Sequence, residues 1–341
     1  MKKSLIVLAV LAASGVASAQ STVTLYGLLD TYVGSVKING VTNTVVNSGG
    51  LQTSRFGLKG SEDLGGGLKA NFVLESGINA DTGTSGAYTN PFTGASSASV
   101  FSRNSWVGLS GGFGEVKIGK MWTAYDDLVG SGISAFNANV FAPSSKVFSS
   151  ANNYNDRPGN SVYYATPDFG GFTGAASYSF GENKTAAAGA GAIAAFNVAY
   201  AGGPVFVGLA YQTEKTTAAA ATAKFLQLNG SYDLGVAKLL AAYGNVRNAP
   251  SGGTFAVIPK TTEFTVGADF PVTSAFTLSG GYARSRDEVS NGYYTRKGFG
   301  IAGLYALSKR TNAYMGLNNS KSNDPAVGKS NIVAAGVRHT F

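Results

Sequence analysis

From Thr22 to the C-terminus, apolar and polar residues alternate with a period of two, the signature of half-buried β-strands. Val23, Leu25, Gly27 and Leu29 share one face, and Thr22, Thr24, Tyr26 and Asp30 the other. Leu68, Ala70, Phe72 and Leu74 oppose Lys69, Asn71 and Glu75, and Val116 and Ile118 alternate with Glu115, Lys117 and Gly119. Val333, Ala335, Val337, His339 and Phe341 form a last face, with Arg338 opposite. The pattern predicts sixteen strands, starting near Thr22, Leu51, Gly67, Ser99, Gly114, Pro158, Gly171, Ala192, Val205, Ala223, Val236, Lys260, Ala275, Thr295, Thr311 and Ser330.

The connections are read as alternating in length. Short ones are Ser61–Gly65, Gly111–Phe113, Pro167–Gly170, Gly202–Pro204 and Asp233–Gly235. Long polar ones are expected at Ile38–Gly50, Asn79–Ala98, Thr123–Arg157, Arg247–Pro259 and Arg286–Tyr294. Tight turns at one end and long loops at the other describe an antiparallel meander closed as an outer-membrane barrel. A ring this wide cannot fill its interior with side chains, so the polar face lines water and the apolar face meets lipid. Closure also pairs every backbone N–H and C=O, which a bilayer demands. Trp106, Tyr164, Phe169, Phe180, Tyr200, Tyr232, Phe270, Tyr305 and Phe341 fall near predicted strand ends, where rings sit at headgroup level.

Residues 1–19 stand outside this pattern. Lys2 and Lys3 precede an apolar run from Leu5 to Ala13, and Ala17-Ser18-Ala19 fits a small-residue cleavage site, so the segment reads as a secretory signal peptide, with a buried helix as the alternative. Residues 20–341 then form the barrel domain, and loss of the two lysines takes the formal charge from +8 to +6. Only 13% of residues are charged, 47 are glycine and none is cysteine, which excludes disulfide scaffolds and thiolate chemistry. The one histidine, His339, gives no partner to the many serines, so no catalytic residue and no cofactor is assigned. Asp126-Asp127 and Asp287-Glu288 lack calcium-loop spacing, and the glycine-rich stretches lack a P-loop's Lys-Ser/Thr. Basic residues are dispersed over strands, with no nucleic-acid footprint.

The segments Ser21–Gly27, Ser54–Gly65, Val107–Leu109, Phe113–Lys120, Asn160–Tyr164 and Val337–Phe341 resemble those of the general porins of β-proteobacteria, and the likeness runs over essentially the whole mature chain. The resemblance implies a sixteen-stranded, homotrimeric outer-membrane barrel with its long third loop folded into the lumen. It implies a terminal Phe341 read by the barrel-assembly machinery, and surroundings of outer-membrane lipid and lipopolysaccharide.

The longest predicted loop, Thr123–Arg157, carries Asp126 and Asp127 followed by enough apolar residues to pack on a wall. The pair is read either as helix capping or as pore lining, and both can hold together. Arg55 is in phase with Lys59, Arg103 is out of phase with Trp106, and Arg157 is out of phase with Val162 and Tyr164; all three are expected inward. They match the basic positions facing the third loop of porins, so Arg55, Arg103, Arg157, Asp126 and Asp127 are the expected constriction. Lys59, Lys69, Lys117 and Arg338 are also inward by phase, nearer the periplasmic mouth. Lys184, Lys215 and Lys321 are expected as rim charges. Three arginines against two aspartates predict passive diffusion of small hydrophilic solutes with mild anion preference. Tyr26, Tyr32 and Tyr163 are inward too but form no clear track of the kind a sugar-selective channel needs. A selective channel of the same architecture and a non-conducting adhesin barrel are the alternatives.

Overall fold

The computed structural model describes residues 22–130, 139–216, 221–250 and 257–341. The expected signal peptide lies outside the described residues. In chain order the strands are β1 (Thr22–Ile38), β2 (Val41–Ser48), β3 (Arg55–Gly65), β4 (Leu68–Asn79), β5 (Thr84–Ser85), β6 (Ala87–Thr89) and β7 (Ser96–Ala98). Next come β8 (Asn104–Gly111), β9 (Gly114–Lys120), β10 (Ser161–Ala165), β11 (Phe172–Phe180), β12 (Ala192–Gly202) and β13 (Val205–Lys215). The series ends with β14 (Ala223–Asp233), β15 (Lys238–Pro250), β16 (Val257–Pro271), β17 (Phe276–Val289), β18 (Gly292–Ala306), β19 (Thr311–Ser322) and β20 (Lys329–Thr340). A helix, α1 (Ala124–Val129), and a 3₁₀ turn, Pro143–Lys146, lie between β9 and β10.

Apart from the small β6–β7 hairpin, all strands join one antiparallel sheet. Its eighteen members reduce to sixteen staves, because β2 continues the course of β3 and β5 is a two-residue addition to β4. The ring closes where β1 pairs with β20, from Leu28↔Thr340 to Ile38↔Ser330. Each of the sixteen predicted starts falls within five residues of a stave. Val23, Leu25, Phe56, Val107, Ile118, Phe196, Phe264, Val333 and Val337 are exposed, as an apolar outer face requires. Gln212, Gln227, Asn229, Glu263 and Thr265 on the opposite face are buried.

Two of the expected long loops are strand. Ile38–Gly50 turns on two residues, Asn39 (φ 48) and Gly40 (φ 94), and returns as β2 along β1. Both φ values are positive, as a type I′ turn requires, and Asn-Gly supplies them at least cost. Arg286–Tyr294 is likewise the tip of the β17–β18 hairpin, paired out to Val289↔Gly292. The strands run on past the lipid zone into water, where polar residues are compatible with strand. Polarity there marked solvent and not loop. In Arg247–Pro259 the strands reach Pro250 and resume at Val257, and 251–256 lies outside the described residues. A connection the pattern did not single out, 181–191, separates β11 from β12.

Between β2 and β3 the chain leaves the ladder, and Asp30 holds the departing segment. Fully buried, its carboxylate accepts N–H bonds from Gly50 (3.1 Å), Leu51 (2.8 Å) and Gln52 (2.8 Å) and the hydroxyl of Tyr314. Its own N–H donates to Ser54 Oγ at 2.9 Å. Ionised acceptors make the stronger bonds. Asp30→Ala is therefore expected to speed amide exchange at Leu51 and Gln52 by more than about tenfold, since each orphaned N–H costs about 1–3 kcal/mol. Unchanged exchange at both amides would mean the segment is held by something else.

The closing residue is also fixed. Phe341 and Gly27 exchange both backbone bonds (3.0 and 3.1 Å), and the Phe341 ring lies where any Cβ at position 27 would stand.

Candidate functional site

Residues 123–130 and 139–157 lie on the polar face of β11–β19, and complementary pairs seat them there. Thr123 caps α1 by accepting the Asp126 N–H (3.3 Å). Ser177 Oγ accepts the N–H of Ala124 (3.0 Å), while Asn197 and Asn229 side chains donate to the carbonyls of Ala124 and Leu128 (2.5 and 2.7 Å). Further along, Glu263 accepts the N–H groups of Ser149 (2.8 Å) and Ser150 (2.7 Å). Glu214 takes both the N–H and the side-chain amide of Asn155, and Asn318 donates to the Ala142 carbonyl (2.8 Å). Tyr125, Leu128, Phe148, Phe225 and Val246 form an apolar cluster between segment and wall. Gly208 and Gly300 admit this approach: a Cβ on the first would strike Leu128, and on the second the Phe141 carbonyl.

Between this segment and β3, β4 and β8 is a cavity of about 620 Å³ bordered by Arg55, Glu75, Arg103, Trp122, Asp126, Asp127 and Arg157. All five residues expected at the constriction thus meet in one place. Glu75, only 5% exposed, organises the basic wall. It pairs with Arg103 Nε at 2.7 Å and Arg55 Nε at 3.6 Å, and accepts from Asn104 (2.9 Å) and the Tyr26 hydroxyl (3.0 Å). The guanidinium of Arg157 lies 3.4 Å from the centre of the Trp122 ring, and that of Arg103 lies 5.5 Å from it. Arg157 also pairs with Asp156 (3.0 Å), and Lys120 Nζ donates to the Arg157 carbonyl (2.9 Å). Stacking on an indole fixes the planar cations without neutralising them.

Phase placed Arg55 correctly, since its register partners run through Gly57, opposite Glu75, to Lys59. Arg103 and Arg157 reach the site for another reason: both precede their strands, where alternation does not apply. Trp106 is in fact on the polar face, since Val73↔Trp106 and Glu75↔Asn104 share it and Lys117 Nζ stands 5.1 Å from its ring. Glu75 appeared in the sequence only as a polar-face residue; a carboxylate on the strand next to Arg55 was the available signal. Trp122, Asp156 and Lys120 carried none.

The two aspartates are not cap acceptors; Thr123 has that role. Asp126 takes the Tyr154 hydroxyl and Asp127 the Tyr163 hydroxyl (2.5 Å). Burial beneath the segment, then the neighbouring Asp156 charge, push the Asp126 carboxyl well above its ordinary range. A raised carboxylate loses its charge earlier as pH falls. Anion preference should therefore grow on mild acidification, and Asp126→Asn should abolish that part of the pH dependence of the reversal potential.

Lys59, Lys69, Lys117 and Arg338 do not border this cavity. Lys59 stands 5.3 Å from the Tyr26 ring, Lys69 is opposite Asp63 near a tight turn, Lys117 pairs with Glu115 (3.1 Å), and Arg338 donates to Asn312 (2.8 Å). Of the expected rim charges, Lys215 and Lys321 face outward on strands, in phase with Tyr211 and Leu317, and Lys184 is in the 181–191 connection. Among the described residues no cluster suited to a metal ion occurs, and no helix is long and apolar enough to cross a membrane.

The sequence model of the Gram-negative porin family matches residues 4–325. The chain belongs to this family. Outer membrane porin protein 32 of Delftia acidovorans is 34% identical over an alignment of 373 positions, gaps included, and an outer membrane porin protein of Bordetella pertussis is 31% identical over one of 404; each comparison spans the whole of both chains. Among solved structures, the anion-selective porin from Comamonas acidovorans superposes with a TM-score of 0.78 at 29% identity, covering 94% of this chain and 100% of that one. A porin of this kind resides in the outer membrane and passes small hydrophilic solutes by passive diffusion. The physical basis is the two-faced wall: an exposed apolar exterior that lipid can solvate and a polar face that water can wet.

Proposed function

We propose that this porin is a water-filled diffusion channel narrowed by residues 123–130 and 139–157 and mildly selective for anions. The observation that carries the reading is the basic wall of Arg55, Arg103 and Arg157 on one side of the cavity. Its nearest carboxylate, Glu75, is withdrawn into four side-chain contacts. Asp126 and Asp127 face the same space and Asp156 pairs with Arg157 at its edge, and their charge keeps the preference small. Ion preference follows the excess charge at the narrowest ring. Tyr26 and Tyr163 are tied to Glu75 and Asp127, so they act as struts and not as a stacking track for sugars.

Further parts of the reading come from the family likeness: assembly as a homotrimer, export by a signal peptide of residues 1–19 that is then cleaved, and Phe341 as the signal for barrel insertion. The test is planar-bilayer conductance of the detergent-extracted protein in a KCl gradient. Large steps in groups of three with an anion-side reversal potential are expected. A cation-side potential would overturn the selectivity, and folded protein that never conducts would overturn the channel.

A further inference from the structure

The half of the polar wall nearest the tight turns holds a second recess, apart from the cavity of the arginines. It measures about 420 Å³, within the range of sites that take small ligands, and its border includes Lys59, Asn71, Val73, Trp106 and Glu115. The register explains its shape. Lys59↔Val73 and Val73↔Trp106 place a lysine, a small aliphatic residue and an indole side by side on β3, β4 and β8. Adjacent strands are about 4.8 Å apart, so the lysine and the indole flank a notch about 10 Å across, backbone to backbone. Val73 lies two residues from Glu75, about 7 Å along β4, so the recess opens one step below the basic wall.

Trp106 is half-buried. From the β9 side Lys117 Nζ stands 5.1 Å from its ring centre and 4.3 Å from that of Tyr163, and the indole packs against the cluster that includes Tyr163. Lys117 does not border the recess, which reaches the indole from the β1–β4 side. The neighbouring polar groups have partners: Glu115 pairs with Lys117 (3.1 Å) and Asn71 donates to Ser110 (2.8 Å). Lys59 differs. It is exposed, its Nζ lies 5.3 Å from the Tyr26 ring, and among the described residues it has no carboxylate partner. The recess thus offers one uncompensated cation and one aromatic surface. A wall that only has to be wetted gains nothing from an indole.

We propose that the recess is a subsite for single-ring aromatic carboxylates, with the ring stacked on Trp106 and the carboxylate accepting from Lys59 Nζ. Stacking of one ring on another adds to what burial gives. A bond between two ionised groups is about twice as strong as a neutral one. The notch over Val73 separates the two contacts, so a solute must carry both groups to make both. A saturated acid loses the stacking, and an uncharged aromatic loses the charge. Lys59 follows Arg55 by four residues on the same face, about 13 Å along β3, so an anion leaving the basic wall meets Lys59 next. The subsite rests on the proposed diffusion function and refines it: the channel holds one class of anion briefly and passes the rest.

The experiment is tryptophan fluorescence of the detergent-purified protein titrated with benzoate, cyclohexanecarboxylate and benzyl alcohol. The chain has two tryptophans, Trp106 and Trp122, so Trp122→Phe leaves Trp106 as the single reporter. Benzoate should change its emission to saturation. It should bind about fivefold more tightly than cyclohexanecarboxylate, the share of ring stacking, and about tenfold more tightly than benzyl alcohol, the share of the charge-assisted bond. Lys59→Gln should abolish the advantage over benzyl alcohol. Heat-dependent electrophoretic mobility checks that each variant is folded. Should Trp122→Phe not fold, the difference between the parent and Lys59→Gln gives the same comparison. A change that does not saturate, equal binding of benzoate and either control, or binding unchanged by Lys59→Gln would each overturn the subsite. Emission reads binding without conduction, so loss of the subsite and loss of the channel in bilayers are separate results.

Discussion

Glu263→Ala gives a channel with larger and noisier conductance steps than the parent. Glu263 is 1% exposed and its two oxygens separately receive the N–H groups of Ser149 and Ser150, at 2.8 and 2.7 Å. Truncation leaves both donors unsatisfied in a dry position, at about 1–3 kcal/mol each. The cheapest relief is for residues 148–150 to move off the wall to meet water, which widens the path they narrow. Glu263→Gln keeps one acceptor oxygen and turns a donor toward the other N–H, so it falls between parent and alanine. Single-channel recording reads the effect, and heat-dependent electrophoretic mobility shows that the barrel itself persists. Steps of parental size and noise in Glu263→Ala would place the anchoring elsewhere, with the apolar cluster of Tyr125, Phe148 and Phe225 the next candidate.

Arg103→Ala is expected to lower barrel stability by about 3–5 kcal/mol, the loss seen when one partner of a buried ion pair is removed. Glu75 keeps Arg55 only at 3.6 Å and loses its 2.7 Å contact, so an under-compensated carboxylate borders the cavity. The reversal potential should move toward the cation side by more than loss of one positive charge alone produces. Adding Glu75→Ala should recover much of the stability and bring the potential back toward the parent. Such non-additivity is the mark of direct coupling. Additive effects of the two substitutions, in thermal unfolding or in reversal potential, would show that Glu75 and Arg103 act independently.

The staves were legible because lipid outside and water inside impose a strict period of two, which any one-residue slip would break. The set of residues that borders the cavity was legible in part. Arg55 sits inside a strand, where phase reports direction; Arg103 and Arg157 sit on the approaches to β8 and β10, where it does not. Trp106 shows the converse, an aromatic assigned outward by type that the register turns inward beside Lys117. Asp126 and Asp127 were visible as a pair of charges, but their tyrosine partners, Tyr154 and Tyr163, are 28 and 36 residues away and no spacing rule links them. Asn39-Gly40 could have been read as a hairpin from its two residues alone, and the polar run around it concealed the turn.

The seam between β1 and β20 joins residues about three hundred positions apart, and every backbone group of Leu28 to Ile38 on that side is paired only there. Until the last strand arrives, the nascent sheet has two open edges that hydrocarbon cannot solvate. Folding in the membrane is therefore an all-or-none event gated by the final dozen residues. A truncation ending before Lys329 would not yield a slightly weaker channel. It would yield a chain with no stable place in a bilayer, held by chaperones or degraded.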